Sequence, residues 1–457
     1  MIFLKRKRLI FWLLRAYIKK WGKTITISFV LGLVIFALLF FKRDFFFSKI
    51  PLSNNESIGI VGVYDRSDLP NNLPPVILNQ ASRGLTKISS EGVVLPDIAA
   101  RWEIKDDGKT FIFYLRPNTY FSDGKLVDTG SIKYNFKDVT IEKPSKQVIV
   151  FRLKEKYSPF LVTLSNYKIF KNNNIGVSDY KISEIKSSSG FIDYIKLFSQ
   201  KDKKTIKYDF YDTQEALKSA YALGEVTKIV DINDLNYKNR VNFSAFKNAD
   251  VDRQINFEKI VTIFFDNQDP LLSDKKIRKA LAYSLPDKFD EGQRTYTPYT
   301  PKFWANGDQE DYKKDLEYSK LLFEQTDASK SASLKIELKT LPQYQLFAKK
   351  IAKSWEQLGV NTDIKVVDSV PQGTYQAFLG ELPVFKDPDQ YTLWHTGQES
   401  NITNYRNLRI DKLLEDGRRI YDIEQRKEIY SDFQKYLIDD MPAAFLFFPY
   451  TYSVTRK

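Results

Sequence analysis

The chain has no cysteine and only one histidine and two methionines in 457 residues. Without cysteine there is no disulfide, no thiolate nucleophile and no Cys-ligated metal. A lipid-modified cysteine is excluded as a tether for the same reason. The lone histidine, His395, cannot supply the several ligands of a zinc hydrolase. A Ser-His-Asp site would have to use it, with Asp387 or Asp389 as orienter, yet no serine sits in a G-x-S-x-G frame. P-loop and Rossmann glycine patterns are absent too, so any nucleotide hydrolysis belongs to another chain. Carboxylates are plentiful, but no spacing singles out a glycosidase pair.

Acidic residues are missing from one region in particular. Residues 1–43 hold ten lysines and arginines and no aspartate or glutamate, so they account for all but three of the +13 net charge. Within them, Thr24 to Phe41 is an uncharged stretch of 18 residues, which as a helix spans roughly 27 Å, enough for a hydrocarbon core. The larger basic cluster, Lys5 to Lys23, precedes it and predicts a cytoplasmic N-terminus with the rest of the chain outside. The stretch ends Leu38-Leu39-Phe40-Phe41-Lys42-Arg43, with no small-residue cleavage site, which favours an uncleaved signal anchor over a removed signal peptide. The expected layout is a basic cytoplasmic segment (1–23), a transmembrane anchor (24–41) and a stalk (42–57). The high pI therefore reports membrane topology and phospholipid contact, and no nucleic-acid partner is expected.

The remainder alternates strand and helix signals, as an α/β architecture does. IGIVGVYD (58–65) reads as a buried strand and ILNQASRGLTKI (77–88) as a short helix, with Gly84 turning the chain after it. Residues 95–136 carry an apolar-Pro opening, a buried Trp102, a turn at Asp106-Asp107-Gly108-Lys109, an alternating strand Thr110–Leu115, a turn at Phe121-Ser122-Asp123-Gly124, and then a helix. KQVIVFRL reads as a strand and SPFLVTLSNYKIF as a helix. Asp274 is placed to cap a helix carrying Ile277, Ala280 and Leu281. DYKKDLEYSKLLFEQT is amphipathic, and Gly359 stops a helix before a strand. The chain closes as RKEIYSDFQKYLIDDMPAAFLFFPYTYSV, a helix and a last strand.

In this order the segments resemble the extracytoplasmic solute-binding proteins of peptide-type ABC importers, solute-binding family 5. Residues 95–136 follow that family's P-x-L-A-x-S-W … D-D-G-x-T … F-x-D-G pattern. IGVSDYKI (175–182) follows its G-T-G-P-Y-x-L, with the second Gly and the Pro replaced. Seven such matches cover about residues 58–457. The resemblance implies a two-lobed, type II periplasmic-binding-protein-like fold with an extra small lobe, carried on one N-terminal transmembrane helix. It implies lobe I at 58–80, 175–262 and 440–457, the small lobe inserted at 81–174, and lobe II at 263–439. It also implies a non-enzymatic receptor that takes an oligopeptide or related solute between its lobes, uses no cofactor, and serves a permease and a separate ATPase.

The family's site falls on VFKDPDQYTLW (384–394). Peptide-binding members usually read Asp-Tyr-x-Asp/Glu-Pro there, the first Asp neutralising the peptide's ammonium. Aligned on Pro388, the acidic position before the proline is Asp387, the Tyr position is Phe385, and the anchoring Asp is Val384. A valine cannot hold an ammonium, so either Asp387 or Asp389 takes over, or the ligand has no free amine there. Lys386 adds a cation suited to an anionic group. Tyr391 and Trp394 are candidate pocket walls, Asn404 and Tyr405 match the family's neighbourhood beside the cleft, and Tyr64 ends the first strand facing it. No metal site is expected; for His395 a structural role outweighs help with a chelated metal. Two other classes compatible with the same residues are a sensory or adhesion receptor on this fold and, behind it, a surface hydrolase.

Overall fold

A computed structural model describes residues 19, 21–23, 55–67, 69–70, 72–238, 241–309, 311–326, 334–371 and 373–457. The expected membrane span lies outside these residues; among the described ones no helix is long and apolar enough to cross a membrane. The chain divides into two units, Met1–Asn55 with Lys203–Thr205, and Glu56–Asp202 with Ile206–Lys457.

The second unit is a mixed α/β fold organised by one strand. The C-terminal strand, Ala443–Arg456, lies inside a twelve-stranded sheet and changes partners halfway along. Its first half pairs with Lys259–Phe265 (Val261 opposite Phe447) and with Gly292–Arg294 (Gly292 opposite Pro449). Its second half pairs with Ala249–Ile255 (Ile255 opposite Tyr450) and with Lys228–Ile232. The change falls at Pro449–Tyr450, where proline's missing N–H suits a break in the ladder. The expected lobe limits, 262 and 440, do not coincide with it: Lys259–Phe265 and Ala443–Pro449 pair with each other on the same side of the change.

The two halves of the strand look different in sequence because they are buried differently. In AAFLFF, Ala444 and Leu446 face one core cluster with Val261, Ile263, Ile277 and Trp355. Ala443, Phe445 and Phe448 face another with Ile260, Phe264, Trp394 and Phe433. A strand covered on both faces needs no polar alternation. Beyond Pro449 polar residues enter the strand, and only Thr451 and Val454 are buried there.

A separate four-stranded antiparallel sheet orders Ala99–Lys105, Thr110–Leu115, Val148–Leu153 and Val139–Ser145. Its core is aromatic: Phe111, Phe113, Phe151 and Phe160 are all nearly or fully buried, with ring centroids 5.1 Å apart for Phe111–Phe160 and 5.6 Å for Phe113–Phe151. The Phe113–Phe151 pair is edge-to-face, an arrangement that adds about 0.5–1.5 kcal/mol beyond the area it buries.

Most elements lie where the sequence puts them: the helix Phe160–Asn166, the strand Val148–Leu153, and the helix Lys275–Tyr283, whose first turn Asp274 caps by accepting from the Lys276 N–H at 2.8 Å. Three differ. The helix expected after Gly124 is a single 3-10 turn, Thr129–Ser131, closed at both ends by Asp128 and Ser131; beyond it Ile132, Tyr134 and Phe136 turn inward at every second residue, a strand-like period that a helix would not keep. Trp102 is half-buried against Phe113 rather than central. Gly84 does not turn the chain after Pro75–Ala81, which ends at extended Ser82; a Cβ at Gly84 would stand 2.5 Å from the Leu164 carbonyl oxygen, so the glycine makes room for close backbone packing.

Candidate functional site

Two clefts border the 384–394 loop, one on each side. The first, about 410 Å³, draws its walls from segments far apart in the chain. The hairpin Thr86–Pro96 gives Lys87, Ser89, Ser90 and Gly92, the end of the Phe160–Asn166 helix gives Ser165 and Lys168, the 255–259 connection gives Phe257 and Glu258, and the second half gives Phe303 and Val384–Lys386. The second cleft, about 730 Å³, lies between the four-stranded sheet and the helix Leu408–Gly417, with Tyr157, Tyr391 and Arg418 among its walls. The smaller one is the better candidate, since only it includes the connection between the two sets of strands. Its volume lies within the ~300–1,000 Å³ of small-ligand sites.

The loop between the clefts is held from both sides. The Val384 N–H donates to the Glu258 carbonyl at 2.8 Å, tying the loop to the connection. Asp387 is 7% exposed and receives both Arg426 Nη2 (2.6 Å, on Oδ1) and Arg426 Nη1 (3.2 Å, on Oδ2). Burial alone would lower the Arg426 pKa, but the carboxylate beside it outweighs burial and holds it above the usual arginine value. Asp389 has Arg418 Nε 3.0 Å from Oδ2 and accepts the Tyr391 N–H at 3.0 Å on Oδ1. Its carboxyl is pushed up, chiefly by burial, with the Arg418 charge opposing.

This geometry sorts the expected site residues. Phe385 and Lys386 line the 410 Å³ cleft beside Val384. Asp387 and Asp389 each face an arginine, so neither stands in for the missing ammonium anchor. Tyr391 faces the other cleft, stacked at 4.1 Å on His395 and lying 4.3 Å under the Arg418 guanidinium. Trp394 is core at 1% exposure, its Nε1 donating to Gln390 Oε1 at 2.7 Å. Asn404 donates to Asp266 at 2.9 Å, and the buried Tyr405 hydroxyl donates to Asp440 at 2.6 Å; neither lines the cleft. Tyr64 packs at 4.8 Å on Phe210 and lies outside it as well. His395 has structural partners, Thr396 O at 2.9 Å from Nδ1 and Glu415 at 3.3 Å from Nε2. Among the described residues no group of three or more His, Asp or Glu is placed to hold a metal ion.

Sequence reasoning missed Arg426 and Lys168. Arg426 had a signal: Arg426, Tyr430 and Gln434 recur every four residues on the helix Ile423–Asp440, and all three are buried. Polar groups on one buried face need partners to aim at. Lys168 carried a weaker one. It follows the helix Phe160–Asn166, where a cation complements the carbonyl end, and its Nζ donates to Ser165 O at 2.8 Å. Burial, then the nearby Lys386 charge, lower its pKa, with Asp97 opposing.

Four further hydrogen bonds join the four-stranded sheet and its hairpin to the second half. The Tyr421 hydroxyl donates to Gly108 O at 2.7 Å and accepts the Tyr157 N–H at 3.0 Å. Gly108 must be glycine here, with φ +88° and a Cβ position 2.1 Å from the Tyr421 ring. The Ser158 N–H donates to Arg418 O at 2.7 Å, and the Trp304 N–H to Glu91 O at 2.9 Å.

Residues 93–404 match the family model for bacterial extracellular solute-binding proteins, family 5 (middle region). The chain belongs to this family. It is 20% identical over 413 residues to the probable D,D-dipeptide-binding periplasmic protein DdpA of Escherichia coli K12, covering 77% of this chain and 78% of that one. It superimposes on the oligopeptide-binding protein AppA of Bacillus subtilis, solved with a nonapeptide, with TM-score 0.64, 18% identity and coverage of 88% and 94%. On NikZ of Campylobacter jejuni, solved with Ni(L-His), the TM-score is 0.69, with 19% identity and coverage of 89% and 94%. The family 5 protein described here thus shares its α/β fold with receptors that hold quite different ligands.

Proposed function

We propose that this family 5 protein is the solute-capturing component of an ABC importer. It would be tethered by its 24–41 segment at the outer face of the membrane and would hand an oligopeptide or related solute to a permease driven by a separate ATPase. The tether would keep the receptor at high effective concentration near the permease. The observation that carries the reading is the 410 Å³ cleft: its walls come from the hairpin Thr86–Pro96, the end of the Phe160–Asn166 helix, the 255–259 connection, Thr300 and Phe303, and the loop at Val384–Lys386. The chain crosses between the halves at that connection and at Pro449–Tyr450, the natural places for a hinge. A solute touching both walls binds the closed arrangement better than an open one, and that difference is what shifts the population. The lobe limits that suit this reading are 256–258 and 449–450.

The test is a thermal-unfolding screen of the full chain in detergent with di- to hexapeptides, sugars and nickel–histidine. A ligand at a hundredfold excess over its dissociation constant stabilises by about 2.7 kcal/mol, a shift of a few degrees. Peptide-dependent shifts support the importer reading. A shift with sugars or nickel–histidine alone would remove the peptide class, and no shift with any solute would favour a receptor fold turned to sensing or adhesion.

A further inference from the structure

The walls of the 410 Å³ cleft carry unequal charge. Lys87, Lys168 and Lys386 line it, against one carboxylate, Glu258. Lys87 and Lys386 have no hydrogen bond or ion pair among the described residues, and both are exposed. Asp97 lies behind Lys87 and Lys168, but it is engaged by Arg83 at 3.1 Å. The acids that the loop does possess, Asp387 and Asp389, are each held by an arginine. The place of an ammonium anchor is the apolar Val384.

The two central cations come from opposite walls. Lys168 follows the helix Phe160–Asn166, and Lys386 sits on the loop after the strand Ala377–Pro383. Bringing them together costs Coulomb repulsion, which an anion between them would turn into attraction to both. An anion would therefore gain most in the closed arrangement.

We propose that the cleft selects a solute by an anionic group, a carboxylate or a phosphate, clasped between Lys168 and Lys386, with no requirement for a free ammonium. This rests on the solute-capture reading and names its ligand class.

The experiment uses isothermal titration of the full chain in detergent with three matched tripeptides: trialanine, N-acetyl-trialanine and trialanine amide. The inference expects N-acetyl-trialanine to bind within about twofold of trialanine and the amide at least ~10-fold more weakly. In Lys168→Met and Lys386→Met chains the acid–amide difference should shrink. Citrate and inorganic phosphate form a second arm. If no peptide binds but citrate or phosphate does, and Lys386→Met weakens it, the anion inference stands and the peptide class falls. The two anions then separate the carboxylate from the phosphate. Tight binding of the amide with loss of the acetylated peptide would overturn the inference, as would binding of all three tripeptides unchanged by either substitution. Silence with every probe, in a chain that unfolds cooperatively, would overturn it too.

Discussion

Asp387 and Lys386 are neighbours on one loop, yet they sit in opposite electrostatic situations. Asp387 is buried and meets two guanidinium nitrogens. Lys386 is exposed in a cleft and meets no partner among the described residues. A buried charge cannot stay without its counter-charge, because removing one partner leaves the other desolvated and uncompensated. A charge on a wet cleft wall can, because water solvates it until something replaces the water. The difference separates the charge that holds the fold from the charge left for a ligand.

The strongest way to break the comparison is Arg426→Ala. It strands Asp387 and is expected to cost about 3–5 kcal/mol, read as a lower urea midpoint with unchanged slope. Adding Asp387→Val should recover part of the loss, since two neighbours in one pair do not add; full additivity would show that the pair is not coupled. Tyr421→Phe comes next. It removes the acceptor of the Tyr157 N–H and the donor to Gly108 O, and a loss of about 1–3 kcal/mol is expected, with the joint between the inserted sheet and the second half loosened. Lys386→Met should leave stability within about 0.5 kcal/mol; a larger fall would mean that Lys386 is structural after all.

The smallest effect is in pH. The Lys168 pKa is lowered, so the cost of holding its charge in the fold is present below that folded value. This cost is relieved as pH rises through it towards the unfolded lysine value. Anion affinity runs the other way: it is full at neutral pH and begins to fall on the alkaline side as Lys168 loses its proton. The affinity for N-acetyl-trialanine, followed from neutral pH into the alkaline range, should show this fall in the parent chain and lose its early part in Lys168→Met. Asp97 is the acid that opposes the downward shift at Lys168, and it leaves the sign unchanged.

Much of the fold was legible because its signals are local. Asp274 announces a helix start, Gly359 with φ +77° separates a helix from the strand after it, and the closing residues read as a helix and a last strand. The helix expected after Gly124 failed because Ile132, Tyr134 and Phe136 answer to the aromatic core of the inserted sheet, which no window of residues reveals. The site was legible only in part. Of the residues expected on the 384–394 loop, Phe385 and Lys386 lie on the cleft. Trp394, Tyr405 and Asn404 look the same in sequence whether they face a ligand or a core, and here each is engaged by Gln390, Asp440 or Asp266. Arg426 lies 39 residues from Asp387, Lys168 still further from Lys386, and such pairings exist only once the chain has folded.

Because the chain has no native cysteine, spin labels can be placed on the two walls alone, at Ser90→Cys on the hairpin and Lys302→Cys beside Phe303. Electron–electron distances between them, with and without N-acetyl-trialanine, test closure on an anionic solute directly. The account predicts a longer, broader distribution without the peptide, a shorter and narrower one with it, and a return to the longer one in the Lys168→Met, Lys386→Met background. One unchanged distribution under all three conditions would contradict it.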